Sequence, residues 1–374
     1  MSTKRVFIID AHAFLHRSYH ALPKFSTSKG EEVGALYGFT RLLLKILRER
    51  RPDYVAVCFD SKGGTFRDGL FAGYKANRPP TDPGLVSQLN TARGLVSAIG
   101  LKGVYIKGFE ADDLIATIAR RAGAAGLEAV IVSGDKDAAQ LAGENIKLWD
   151  GSSPEFTGPE GVLKKYGIPP ALLPDYFALT GDSSDNVPGV AGVGPKSAAK
   201  LVQAYGPLDK ILAAAMDPAL VASDKALAKV AKDMENARLS RRLVTLEADA
   251  PVEEGLEIFK PAPPGGAELE EMARRLEFKD LLALAAANNS FAGPRPFEAL
   301  AKKDGPAVER PTAPLPPVRL PEEILPGLVR EAKEEHGFRR FCRRTLANVR
   351  QEALMMGWLL NLKRLTAIHA TAGG

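Results

Sequence analysis

The chain has 374 residues, too long for one average domain and too short for three, so two units plus a tail are expected. Fifty Lys and Arg against 45 Asp and Glu leave a formal charge of +5, and the apolar share of 45% excludes collagenous, disulfide-scaffold and wholly disordered classes. The only two cysteines, Cys58 and Cys342, exclude a disulfide framework and a cysteine-rich zinc site.

The N-terminal MSTKRVFIID passes from two basic residues straight into a strand-like run, unlike a secretory signal. No apolar stretch reaches the roughly 18 residues of a membrane span. A reducing, cytoplasmic compartment without membrane association is expected. VFIID (6–10), YVAVCFD (54–60), VYIK (104–107) and AVIVSGD (129–135) are apolar runs of strand length. Amphipathic segments lie between them at Gly34–Arg50, Leu85–Ile99 and Ala111–Ala122. The alternation predicts an α/β fold over residues 1–157, with a mostly parallel central sheet flanked by helices. Helical patterns dominate over 158–292 and predict a helical second domain. Nine prolines between Pro294 and Pro326 mark 293–327 as an extended linker, and 328–374 regains helical periodicity as a basic tail.

The aspartates fall where strands end. Asp10 closes the first run, Asp60 the second, and Asp135 and Asp137 follow the fourth. In a parallel sheet the carboxyl ends of the strands line one crevice, so these acids converge there. Glu110, Asp112 and Asp113 open a helix after the third run, and Asp182 and Asp185 stand three apart, as on one helical turn. Nine carboxylates cannot share a crevice unless cations neutralise them. Hard oxygen ligands favour magnesium or manganese, and two such ions about 4 Å apart suit in-line attack on a phosphodiester. Capping and turn chemistry account for any one of these acids taken singly, but poorly for all nine together.

Phe66, Arg67, Tyr74, Lys75 and Arg78 follow the second strand and mix basic with aromatic side chains, a composition that holds phosphates and stacks on unpaired bases. The glycine-rich run 187–197 fails as a P-loop, because Pro195 stands where the lysine belongs and no strand precedes it. Gly192 and Gly194 instead permit a tight hairpin between helices, with Pro195 in the first turn of the second. Backbone amides there, backed by Lys196 and Lys200, would grip a DNA phosphate without reading sequence. No acidic residue stands between Asn186 and Tyr205 to oppose this. His12, His16 and His20, four apart, lack the converging partners of a zinc site and read as surface or packing residues.

Four ordered motifs carry a resemblance: FDSKGGTFRDGLFAGYKANRPP (59–80), EADD (110–113), SGDKDAAQL (133–141) and GDSSDNVPGVAGVGPKSAAKLV (181–202). Over residues 1 to about 290 the chain resembles the 5′-nuclease domain of bacterial DNA polymerase I, in the flap-endonuclease family. The resemblance implies a PIN-like α/β fold followed by a helix–three-turn–helix DNA-binding domain. It implies hydrolysis of DNA near 5′ ends with two magnesium ions, manganese being a substitute. Asp10, Asp60, Glu110, Asp112, Asp113, Asp135, Asp137, Asp182 and Asp185 would form the metal cluster. Asp10, Asp112 and Asp135 would be central to catalysis, with Lys75 and Arg78 stabilising developing charge. Arg17, Arg67 and Tyr74 would handle substrate, along with Gly192, Gly194, Lys196 and Lys200 of the hairpin, where a potassium ion would sit among carbonyls. Lys75 and Arg78 would lie on a helical arch near 66–95. Partners implied are DNA with 5′ flaps, nicks or frayed ends, RNA primers on DNA, and a polymerase acting in trans; a monomer is expected.

The chain departs from the pattern at Ala11-His12-Ala13, where small Gly-Ser-Ser is usual. A non-catalytic module that binds flaps or junctions, and a ribonuclease of a related acidic fold, are the alternatives; neither needs the full acidic set. Residues 330–374 hold nine Lys and Arg against four Asp and Glu, so the whole formal charge lies there and the rest of the chain cancels.

Overall fold

The structure, a computed structural model, describes residues 3–289. The Pro-rich segment 293–327 and the basic stretch 328–374 lie outside the described residues. Strands β1 (Arg5–Asp10), β2 (Tyr54–Cys58), β3 (Lys102–Val104), β4 (Glu128–Val132) and β5 (Ile146–Trp149) form one parallel sheet in the order β3-β2-β1-β4-β5. The chain builds outward from β1 on one side and then returns to its other side. The switch point where ligands bind such sheets therefore lies between the ends of β1 and β4.

The strands read as continuous apolar runs because both faces are covered, yet their side chains still alternate. Phe7, Ile9, Val55, Val57, Val130 and Val132 enter one core, which α1 (Ala11–Ala21), α2 (Gly34–Lys45) and α4 (Pro83–Ala98) help to build. Val6, Ile8, Ala56, Cys58, Ala129 and Ile131 enter the other, opposite α5 (Ala111–Ala124). Between β2 and α4 in the chain, α3 (Phe66–Leu70) is a single short helix with a Thr65–Asp68 capping box.

Three local expectations change. The third strand pairs with β2 from Lys102 to Val104 and then leaves the sheet, so Tyr105–Lys107 is a loop and the Tyr105 ring, 56% exposed, lies against Arg93. The short β5 edge strand escapes the sequence reading because Ile146-Lys147-Leu148-Trp149 mixes a lysine into four residues and is only partly buried. No arch helix fills 66–95 either: α4 is a core helix, with Leu85, Ala92, Leu95 and Val96 buried. Residues 71–82 form the turn-rich connection that carries Tyr74, Lys75 and Arg78.

Helices α6 (Pro159–Tyr166), α7 (Leu173–Thr180), α8 (Pro195–Tyr205), α9 (Leu208–Ala214), α10 (Pro218–Ser223), α11 (Lys225–Lys232) and α12 (Met234–Val244) follow. They help to build a separate core that includes Phe177, Leu179, Leu201, Ile211, Val230 and Leu243. The chain then comes back to the sheet. Ala250, Val252 and Phe259 join the α5 side, and Leu269, Leu276, Leu281 and Leu284 of α13 (Gly266–Leu276) and α14 (Lys279–Asn289) join the α4 side. Among the described residues no helix is long and apolar enough to cross a membrane.

Candidate active site at the carboxyl ends of the strands

Asp10 ends β1 and caps α1: its Oδ1 accepts from the Ala13 N–H at 2.9 Å, and its Oδ2 from Ser133 Oγ at 2.9 Å. Burial pushes its carboxyl up to about 6 against those hydrogen bonds, and Asp60 and Asp135 add to the rise. Asp60 is held at three points. Its N–H donates to His12 Nδ1 at 3.1 Å, its carbonyl accepts from Arg93 at 2.8 Å, and its Oδ1 accepts from the Ala111 N–H at 2.8 Å. Asp112, in the first turn of α5, is driven well above the carboxylate range by burial and by Asp10, Asp135, Asp60 and Asp137.

A second group completes the crevice. Asp137, Asp182 and Asp185 present carboxylate oxygens within 4.8 Å of one another. Burial, then Asp135 and Asp182, push Asp137 up to about 7. Burial opposes ionisation of Asp182 too, but Lys136 Nζ at 2.8 Å and Ser184 outweigh it and hold that carboxyl below its usual value. Asp182 and Asp185 are not on a helical turn. They lie in a loop closed by the Asp182–Val187 bridge and pinched where Gly181 and Gly189 cross, both at positive φ. A Cβ on Gly181 would stand 2.5 Å from the Val187 carbonyl, so only glycine permits this approach.

The basic segment folds into the same crevice. Lys75 Nζ lies 2.7 Å from Glu110 and 3.7 Å from Asp185, and Arg78 pairs with Asp185. The Tyr74 ring, expected to stack on a base, is buried, with its hydroxyl donating to Glu110 at 3.2 Å and lying 3.3 Å from Asp185. With the Arg67–Asp113 pair left aside as mutually neutralised, the other eight carboxylates exceed the cations of Lys75, Arg78 and Lys136, which pair with Glu110, Asp182 and Asp185, by a formal five charges. This all-oxygen donor set with unbalanced charge fits hard divalent cations. Among the described residues, Asp137, Asp182 and Asp185 are the three that bring their oxygens close enough together to share one ion.

Two expected site residues do something else. Asp113 and Arg67, predicted as metal ligand and substrate contact, are 0% and 1% exposed and pair bidentately at 2.8 Å. The remaining acceptor positions of Asp113 take the N–H groups of Glu110 and Glu247, and Arg67 also donates to the Leu243 and Thr245 carbonyls. Asp113 is saturated by the fold and Arg67 nearly so, and the pair ties α3 and α5 to the end of α12. Arg17 is exposed, lies over the Phe14 ring and donates to the Asp150 carbonyl. Lys136, Ser133, Arg93 and His12 were not anticipated as site residues. For Lys136 the signal was present, a cation set between two acids in SGDKDAAQL. For the others it was not, because their contacts span long sequence separations.

Away from the crevice, Gly192 turns at positive φ and Gly194 caps α8, whose first turn carries Pro195 and no acid. Lys196 and Lys200 are exposed on that helix, and Lys229 donates to the Gly192 carbonyl at 2.6 Å. His16 and His20 are exposed with ring centroids 4.5 Å apart. Neither belongs to a three-ligand group among the described residues.

Residues 5–167 match the 5′-3′ exonuclease N-terminal resolvase-like domain, and residues 168–266 match the 5′-3′ exonuclease C-terminal SAM fold. A 5′-3′ exonuclease of Aquifex aeolicus is 36% identical over 284 residues, covering 75% of this chain and 94% of that protein. DNA polymerase I of Rhizobium leguminosarum is 38% identical over 284 residues, 74% of this chain but only 28% of that polymerase. The chain thus spans less than a third of the polymerase relatives it matches first. Among solved structures, the T5 5′-exonuclease with bound divalent metal ions superposes with a TM-score of 0.57 at 18% identity, covering 75% of this chain and all of that one. The Rad2 catalytic core in complex with DNA gives 0.50 at 16%, covering 75% and 92%. These likenesses are of fold: a parallel-sheet, PIN-like α/β unit followed by a helical SAM-like one.

Proposed function

The chain belongs to the 5′-3′ exonuclease family, and from that premise we propose that it is a metal-dependent, structure-selective nuclease that hydrolyses phosphodiesters near 5′ ends. The observation that carries this reading is the crevice at the switch point, where eight carboxylates outnumber their cationic partners and three of them are pushed toward holding protons. Two magnesium ions, or manganese, when held by Asp10, Asp60, Asp112 and Asp135 and by Asp137, Asp182 and Asp185, would supply activation of water and neutralisation of the reacting phosphate. Ser133 and the α1 turn orient Asp10, while His12, Arg93 and the Ala111 N–H orient Asp60. Glu110 keeps Lys75 at the edge of the crevice. Lys75 and Arg78, released from Glu110 and Asp185, would turn to the phosphate and stabilise its developing charge. Tyr74 would move out with them to meet a frayed base.

The hairpin would hold the duplex by its backbone, through the α8 amides, Lys196 and Lys200. A potassium ion there would compete with Lys229 for the Gly192 carbonyl, and duplex affinity in potassium against sodium tests it. The substrates proposed are 5′ flaps, nicks, frayed ends and RNA primers on DNA, handled by a cytoplasmic, nucleoid-associated monomer. The test is a labelled 5′-flap substrate. Asp112→Ala or Asp135→Asn should abolish cleavage in magnesium while flap binding stays measurable. Undiminished turnover in both variants would sink the assignment.

A further inference from the structure

We infer that His12 is a phosphate-contacting residue of the cleavage site, its Nε2–H donating to a non-bridging oxygen of the bound DNA while Nδ1 holds Asp60 in place. The inference rests on the nuclease reading above. The Asp60 N–H donates to His12 Nδ1 at 3.1 Å, so that nitrogen presents a lone pair and the neutral ring carries its hydrogen on Nε2. Among the described residues, Nε2 has no partner. The ring packs edge-on against Phe59 at 6.2 Å and keeps 29% of its side chain exposed.

The neighbouring donors are already engaged. Lys75 and Arg78 reach a phosphate only on release from Glu110 and Asp185, while Arg93 donates to the Asp60 carbonyl and Arg17 to the Asp150 carbonyl. Ala11 and Ala13 flank His12 and offer no side-chain donor. On the Asp60 side of the crevice, then, the imidazole N–H is the uncommitted side-chain donor among these residues. A neutral donor suits this place, since it adds a hydrogen bond to an anionic oxygen without a charge that Asp60 would capture.

Two conservative variants separate the two ring nitrogens. His12→Asn keeps an acceptor near the Nδ1 position and removes the distal donor; His12→Gln keeps a donor near Nε2 and removes the acceptor. Binding of labelled 5′-flap DNA would be read by anisotropy with calcium in place of magnesium. The comparison substrate carries a neutral methylphosphonate at the scissile position. His12→Asn should weaken binding of the phosphate substrate about tenfold, the scale of a hydrogen bond to a charged group, and should bind the methylphosphonate substrate as the wild type does. His12→Gln should bind the phosphate substrate within about twofold of wild type, well inside that same hydrogen-bond scale.

Equal binding by wild type and His12→Asn overturns the inference and leaves His12 as a support for Asp60. Wild-type protein that fails to prefer the flap over plain duplex sinks the nuclease reading and this one with it. A measurement without substitution guards against misfolded variants: long-range 15N–1H spectra of the imidazoles should show His12 protonated at Nε2, with that signal moving on DNA addition. Protonation at Nδ1 would refute the inference directly.

Discussion

Asp113→Ala separates a structural acid from those proposed to hold metal. Asp113 is completely buried and accepts four hydrogen bonds, two from Arg67 at 2.8 Å and one each from the N–H groups of Glu110 and Glu247. The substitution leaves a guanidinium at 1% exposure with only carbonyl partners and Glu110 3.7 Å away, and two backbone donors without acceptors. Breaking one side of a buried pair costs about 3–5 kcal/mol. At about 2–4 °C per kcal/mol for a unit of this size, Tm should fall by roughly 6–20 °C. The assay is calorimetric or circular-dichroism melting in EDTA, where metal binding contributes nothing. Removing both charges as Arg67→Met/Asp113→Ala should recover much of the loss, because the uncompensated charge goes with it. Asp137→Asn should move the other way and raise Tm in EDTA, since burial and repulsion already hold that carboxyl up at about 7. An Asp113→Ala protein that melts within a degree of wild type in EDTA would refute the structural assignment.

The metal-free protein should gain stability as pH falls from about 7 toward 4. Asp137 and Asp10 are raised to about 7 and about 6, so between those values and the ordinary 3.8 the folded state holds protons the unfolded chain has lost. Melting in EDTA at pH 5 and pH 7.5 checks the sign, and magnesium should flatten the trend. Lys196→Ala with Lys200→Ala should weaken duplex binding alike for all sequences and reduce the salt slope of log K by about 2, read from titrations at several salt concentrations. Gly181→Ala should displace Asp182 and Asp185, because its Cβ would meet the Val187 carbonyl at 2.5 Å. Cleavage and magnesium affinity should fall together, by roughly tenfold or more on the scale of lost metal-orienting contacts. Retained magnesium affinity by calorimetry would show that the loop tolerates the side chain.

Much of the α/β unit was legible because parallel strands buried on both faces leave unbroken Val and Ile runs, and a carboxylate at the end of such a run has one place to go. That logic places Asp10, Asp60 and Asp135 at the carboxyl edge of the sheet from the residues alone. It did not distinguish Asp112 from its neighbour Asp113. One position along α5 turns the side chain by about 100°, from the crevice into the core. Nor did it show Arg67 as anything but a basic residue near a DNA-binding segment, since its partners at Asp113, Leu243 and Thr245 are 46, 176 and 178 residues away. The edge strand β5 and the return of α13 and α14 to the sheet were hidden for a related reason: mixed, short or late segments take their burial from what they pack against.

The amino-acid sequence by itself determined the fold class, the acidic crevice and the glycine hairpin. Each follows from local periodicity, strand-end chemistry or backbone conformational freedom. Tertiary structure alone decided which acids are free to bind a cation. That depends on partners brought from distant parts of the chain, such as the guanidinium of Arg67, which occupies Asp113. It also decided that His12, a packing residue by spacing alone, holds Asp60 with one nitrogen and keeps the other free.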